Sequence, residues 1–159
     1  MINSFKGEYF FLSNFYKAPV YVYGLQYTNN EAAFQSMKTE DLAKRREFIP
    51  LDPSSAKSKG RKIKLRKDWE QIKFHVMYNI CVAKFLQNPD LKEKLLATGD
   101  ELLEEGNTWG DKVWGTVNGK GENNLGKILM DVREFIANPD PVHFYDMEFD
   151  PEFTTRIYK

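Results

Sequence analysis

The chain has 159 residues with 23 Lys+Arg against 23 Asp+Glu, a formal net charge of zero, and 42% of its residues are hydrophobic and 14% aromatic. That length suits one domain with a core large enough to fold without staples, and the balance excludes disorder over most of the chain and a general nucleic-acid coat, while permitting a local basic groove. No apolar stretch approaches the roughly 20 residues of a membrane span, Met1 leads into Asn3, Ser4 and Lys6 rather than an export signal, and the lone Cys81 fits a reducing compartment, so a cytoplasmic protein is expected.

An aromatic-dense segment, Tyr9 to Tyr16, precedes Ala18-Pro19 and the run Val20-Tyr21-Val22-Tyr23, whose β-branched and aromatic residues predict a strand. Gly24-Leu25 reads as a turn and Gln26-Tyr27-Thr28 as the returning strand. Asn29 and Asn30 are good N-cap types, so a first helix is predicted from about Glu31 to Met37, with the Glu31 carboxylate at its positive end. Asp52 and Pro53 announce a second, short helix, and Gly60 sits where a left-handed C-terminal residue is wanted. Asp68 is the expected cap of the longest helix, in which Ile72, Val76, Ile80 and Ala83 form one apolar stripe and Tyr78, Cys81, Val82 and Phe85 another, placing it at the centre of the core. Asn88-Pro89 opens a further helix through Leu91, Leu95 and Leu96 to Thr98-Gly99. The Gly-, Trp- and Asn-rich stretch from Asn107 to Gly121 reads as a loop with a short strand over Val113 to Val117, and Asn123 or Asn124 caps a last helix carrying Leu125, Ile128, Leu129, Val132 and Ile136. Asn138-Pro139-Asp140-Pro141 then ends that helix. The expected organisation is one domain over 1–137, of α+β class with helices dominating and a small β element, and an appended surface segment over 138–159.

Three groups of residues can carry chemistry. Glu31, Phe34, Gln35 and Lys38 share one face of the first helix, which is either the wall of a polar pocket or a solvated amphipathic face. Asn107, Trp109, Asp111, Trp114 and Gly115 lie in a glycine-containing loop suited to stacking a flat ring, unless the indoles only plug the core beneath it. The basic run Lys57, Lys59, Arg61, Lys62, Lys64, Arg66 and Lys67 can meet phosphate or remain solvated surface. His75 and His143 have no partner at ligand spacing, Cys81 belongs to an apolar stripe, and neither a dinucleotide nor a Walker-type glycine motif occurs, so no metal or cofactor is expected.

Several of these segments match a family pattern. Phe11-Leu12-Ser13-Asn14-Phe15-Tyr16, Asn30-Glu31-Ala32-Ala33-Phe34-Gln35 with Lys38, Leu65-Arg66-Lys67-Asp68-Trp69, Lys84-Phe85, Leu96-Ala97-Thr98-Gly99-Asp100, Asn107-Thr108-Trp109-Gly110-Asp111, Trp114-Gly115 and Gly121-Glu122-Asn123-Asn124-Leu125-Gly126 resemble the YbiA-like, or NADAR, family in order and approximate spacing, over about residues 5 to 136. One departure is that Ala32 stands where the family's helix often has histidine. The resemblance implies hydrolysis of an N-glycosidic bond between ribose and a nitrogen, on phosphoribosyl intermediates of riboflavin synthesis or on ADP-ribosylated guanine. It places the acids on Glu31 and Asp111, with Glu31 stabilising an oxocarbenium ion or activating water and Asp111 orienting ribose hydroxyls or water. Lys38 is either an electrostatic contact or an imine-forming amine. Asn14, Gln35, Arg61, Trp69, Asn107, Trp114 and Gly115 are expected to bind substrate, with Lys62 and Arg66 as further phosphate candidates. The expected partner is a small ribosyl phosphate or ADP-ribosyl compound, free or on a modified nucleic acid; the competing reading is a non-catalytic NAD- or ADP-ribose-binding module in sensing or phage defence.

Overall fold

Alternation of buried and exposed residues makes a strand of Lys17–Val22 (β1), because Ala18, Val20 and Val22 turn inward while Lys17, Pro19 and Tyr21 face out. In the computed structural model, which describes residues 1–139, β1 pairs antiparallel with Leu25–Asn29 (β2), Val20 opposite Tyr27 and Val22 opposite Leu25. The register shifts between Lys17 and Val20, a bulge that accommodates Pro19 without requiring an N–H from it. The strand begins three residues earlier than the sequence suggests, and the turn falls at Tyr23-Gly24 rather than Gly24-Leu25, with both residues at positive φ. Leu25 therefore pairs instead of turning.

Six α-helices among the described residues follow: Asn30–Ser36 (α1), Leu42–Arg46 (α2), Pro53–Gly60 (α3), Trp69–Gln87 (α4), Pro89–Ala97 (α5) and Asn124–Ala137 (α6). A 3₁₀ helix over Gly7–Leu12 fills part of the aromatic segment. The architecture is α+β with helices dominating. Both the 3₁₀ helix and α2 escape the sequence pattern; α2 buries no residue and is held by the Asp41 side chain accepting from Ala43 and Lys44 N–H.

α4 is the centre of the core: Val76, Ile80, Ala83 and Phe85 are fully buried, and the helix packs against β1, α6, α1 and α5. Its end also closes the free edge of β1, where the Gln87 amide both donates to and accepts from the Tyr21 backbone at 2.7 Å. Lys84 of this helix is 1% exposed, and its Nζ donates to the carbonyls of Phe11 (2.6 Å) and Ser13 (3.0 Å), pinning the irregular N-terminal segment to the core. Burial lowers the Lys84 pKa to about 8.

Five expectations about capping and local structure are corrected. Asp68 precedes α4 but makes no side-chain cap; its carboxylate binds Arg66, and only its carbonyl serves Gln71 and Ile72 N–H. Neither Asn88 nor Asn123 caps with its side chain: Asn88 donates to Pro19 and Lys84 carbonyls, and Asn123 bridges Leu103 and Glu105. Val113 to Val117 is not a strand but a loop with isolated bridges, Gly106 to Thr116 and Val117 to Lys120. Gly60 ends α3 without left-handed geometry; a Cβ there would run into the Gln35 side-chain oxygen, so the glycine permits α1 and α3 to touch. No helix among the described residues is long and apolar enough to cross a membrane. The appended segment, from residue 140 on, lies outside the described residues, as does His143.

Candidate active site

The side-chain oxygen of Asn29 accepts from Ala32 N–H at 2.8 Å, which starts α1 and points Glu31, Phe34 and Gln35 to one side. The Asn14 carbonyl accepts from Glu31 N–H at 3.1 Å, and the Asn14 amide oxygen accepts from Asn30 Nδ2, so the N-terminal segment and α1 are joined at this point. Between them, α3, α4 and the loop from Glu105 to Trp114 lies a cavity of about 670 Å³. Glu31, Asp111 and Lys38 all line it, as do Asn14, Gln35, Arg61, Trp69 and Trp114. Asn107 and Gly115 do not; they shape the loop behind the wall.

Asn107 acts as the hub of that loop. Its oxygen accepts from Trp109 N–H (3.2 Å) and Asp111 N–H (3.1 Å) while its nitrogen donates to the Asp111 carbonyl (2.8 Å). The Asp111 carboxylate in turn accepts from Val113 and Trp114 N–H at 3.0 and 2.9 Å, a local side-chain turn that displaces the strand expected there. Gly115 lets the chain pass directly against Glu105: a Cβ would collide with the Glu105 carbonyl and carboxyl oxygens.

The aromatic wall is braced rather than open. Phe34 packs against Trp69 at 5.1 Å and edge-on to Trp114 at 5.2 Å, and Phe74 supports Trp114 from another side at 5.2 Å. Trp109, 56% exposed, is the accessible indole of the lining, and Lys57 Nζ lies 5.7 Å from its ring centre and 5.8 Å from that of Phe15.

Electrostatically the cavity mixes Lys6, Lys38, Lys57, Arg61 and Lys73 with Glu31, Glu105 and Asp111. Glu31, 8% exposed, accepts from Gln35 Nε2 at 2.8 Å. Burial raises its pKa above the ordinary carboxylate value, against the opposing pull of the Gln35 hydrogen bond and of Lys57 and Lys38, while Asp111 adds to the rise. Lys38 is lowered, first by burial, with Glu31 opposing and Arg61 and Lys73 reinforcing.

The basic run divides. Lys57 and Arg61 reach the cavity, Lys59 lies 3.8 Å from Glu47, and Lys62, Lys64 and Lys67 are exposed away from it. Arg66 is engaged with Asp68 and Glu40, and its N–H donates to the Lys38 carbonyl at 2.8 Å, so it fastens the end of α1 to the start of α4. Sequence reasoning missed Glu105, Lys73, Met77, Phe5 and Phe10 as lining residues. Lys73 and Met77, one helical turn apart on α4 beyond Trp69, had a periodic signal; Glu105 had none. Among the described residues no group of three or more His, Cys, Asp or Glu side chains is placed to hold a metal ion.

Residues 3–137 match the NADAR domain. The chain belongs to the NADAR domain family. An N-glycosidase of Nostoc punctiforme is 38% identical over 137 residues, covering 79% of this chain and 85% of that protein. The N-glycosidase YbiA of Escherichia coli is 39% identical over 134 residues, 82% of this chain and 83% of its own length. A riboflavin biosynthesis protein of Vibrio vulnificus is 37% identical over 143 residues, 86% of this chain but 39% of that protein. The NMR structure of E. coli YbiA superposes with a TM-score of 0.75 at 36% identity, covering 86% of this chain and 87% of that one.

Proposed function

We propose that this NADAR domain hydrolyses the N-glycosidic bond between a ribose carbon and a nitrogen in a phosphoribosyl or ADP-ribosyl compound. The observation that carries this reading is the buried Glu31 carboxyl, oriented by Gln35, in one cavity with Asp111, Lys38 and the cations Lys57 and Arg61. Breaking a ribosyl C–N bond builds positive charge at the anomeric carbon, which a carboxylate opposes and stabilises best where water is scarce. A raised pKa also brings Glu31 closer to the operating pH, which suits removal of a proton from the attacking water. Asp111 orients the ribose hydroxyls or that water with the part of its carboxylate not used in the loop. Lys57 and Arg61 receive the phosphate, and Trp109 offers the accessible face for a base while Trp69 and Trp114 form the wall behind it. The names of the matched relatives, N-glycosidases and a riboflavin biosynthesis protein, support the same reaction class.

Mass spectrometry of products after incubation with a phosphoribosylaminopyrimidine, NAD and ADP-ribosyl-guanine tests it. Release of a free base and a ribose phosphate or ADP-ribose from one of them is the expected result. Tight binding of a candidate with no product would instead favour a binding module.

A further inference from the structure

One carboxyl in the cavity has no role in the assignment above. Glu105 is fixed through its backbone: its N–H donates to Asn123 Oδ1 at 2.9 Å and its carbonyl accepts from Thr116 N–H at 2.9 Å. Its side chain belongs to the cavity wall, yet Oε2 is buried with no hydrogen-bond partner, pressed against the backbone at Gly115. Neighbouring Glu104 turns elsewhere, accepting from the Thr116 hydroxyl.

The contrast with Glu31 is one of surroundings. Glu31 has a donor in Gln35 and two cations, Lys57 and Lys38, favouring its charge. Glu105 has no donor at Oε2, and Asp111 and Glu31 oppose its ionisation, with Lys57 the opposing cation. Burial, then those two acids, push its pKa up to about 8. Two carboxyls in one cavity, one supplied with donors and one deprived of them, is the arrangement that separates a base from an acid.

Resting on the glycosidase reading above, we infer that Glu105 is the general acid that protonates the departing nitrogen. The C1′–N bond breaks with its electron pair passing to nitrogen, and the Glu105 O–H proton goes to that nitrogen, leaving a carboxylate. Water adds its oxygen to C1′ and gives a proton to Glu31; returned through solvent to Glu105, that proton completes a cycle consuming one water.

The test compares two leaving groups on the whole protein. A ribosylaminopyrimidine 5′-phosphate leaves as a poor, neutral nitrogen that needs a proton, whereas nicotinamide mononucleotide carries a cationic nitrogen that leaves without one. In single-turnover product release, Glu105→Gln should slow the first roughly hundredfold or more and the second less than tenfold. For the unaltered protein, kcat/KM on the aminopyrimidine should fall above about pH 8, and this limb should be absent with the nicotinamide compound and lost in Glu105→Gln. Titration of Lys38 or of Lys84 would affect both compounds alike. Equal losses on both, or an alkaline limb shared by both or surviving in Glu105→Gln, overturns the role of Glu105 and leaves the glycosidase reading standing. If Glu105→Gln fails to fold, the two pH profiles of the unaltered protein still decide. Cleavage of the nicotinamide compound alone also overturns the acid, since that bond needs no donor; cleavage of neither overturns the glycosidase reading together with it.

Discussion

Glu31 occupies the first turn of a seven-residue helix, where any acid gains about 0.3 to 1 kcal/mol from the helix end. A structural acid and a catalytic one therefore make different predictions. Glu31→Gln keeps the shape and the bond to Gln35 but removes the charge, so turnover should fall on the order of a hundredfold while ligand affinity, measured by calorimetry, changes little. A variant that melts early yet turns over at the normal rate would show the acid to be structural. For Lys38, whose amine burial makes easier to deprotonate, borohydride added during turnover should leave a reduced sugar adduct in the mass of the protein if an imine forms, and Lys38→Arg should then be inactive. Without an imine, Lys38→Arg retains most of its rate. At this scale Glu31 and Gln35 are readable because a helix places residues four apart together, and Lys38 follows them in the turn after α1, its N–H donating to the Gln35 carbonyl. Glu105 was not: its environment comes from Glu31, Asp111 and Gly115, brought to it by chain folding that no local spacing records.

Elements with a strong apolar period were legible in advance, and those held by side-chain-to-backbone bonds were not. α4 and α6 follow from their stripes, whereas the strand expected over Val113 to Val117 is a loop, because β-branched content says nothing of the Asn107 and Asp111 side chains that fold the chain otherwise. Val76, fully buried on α4, tests the core: Val76→Asp should cost several kcal/mol in urea denaturation, since an unpaired carboxylate has no partner there. Gly60→Ala tests the α1–α3 contact. Its methyl would meet the Gln35 oxygen, forcing Gln35 away from Glu31 or the two helices apart, at a cost of about 1 to 3 kcal/mol. A fall in melting temperature with slower turnover is expected; unchanged values in both would mean that the contact relaxes freely.

For the molecule as a whole, two carboxyls ionise less readily folded than unfolded. Below about pH 4.5 both states are protonated at Glu105; as pH rises the unfolded chain ionises while folded Glu105 holds its proton to about 8, so its contribution to stability is lost across that window and is flat above it. Glu31 acts in the same direction. The urea midpoint should therefore decline from pH 5 to pH 7.5, and Glu105→Gln should flatten that decline; an unchanged slope would place the titration elsewhere. Catalysis is expected to survive chelation and dialysis, and an activity lost on chelation and restored by a divalent ion would contradict the metal-free assignment.

Lys84 adds a consequence of a different kind. Because its ammonium is sealed from solvent against the Phe11 and Ser13 carbonyls, dissolved ions cannot reach the link that holds the cavity's N-terminal wall. Lys57 and Arg61 line an open cavity and are accessible to them. Raising ionic strength through the range where the Debye length shrinks from about 10 Å to about 3 Å should thus weaken attraction for a phosphorylated ligand while leaving the wall itself intact. Added salt separates how the protein gathers its substrate from how it keeps the shape that receives it.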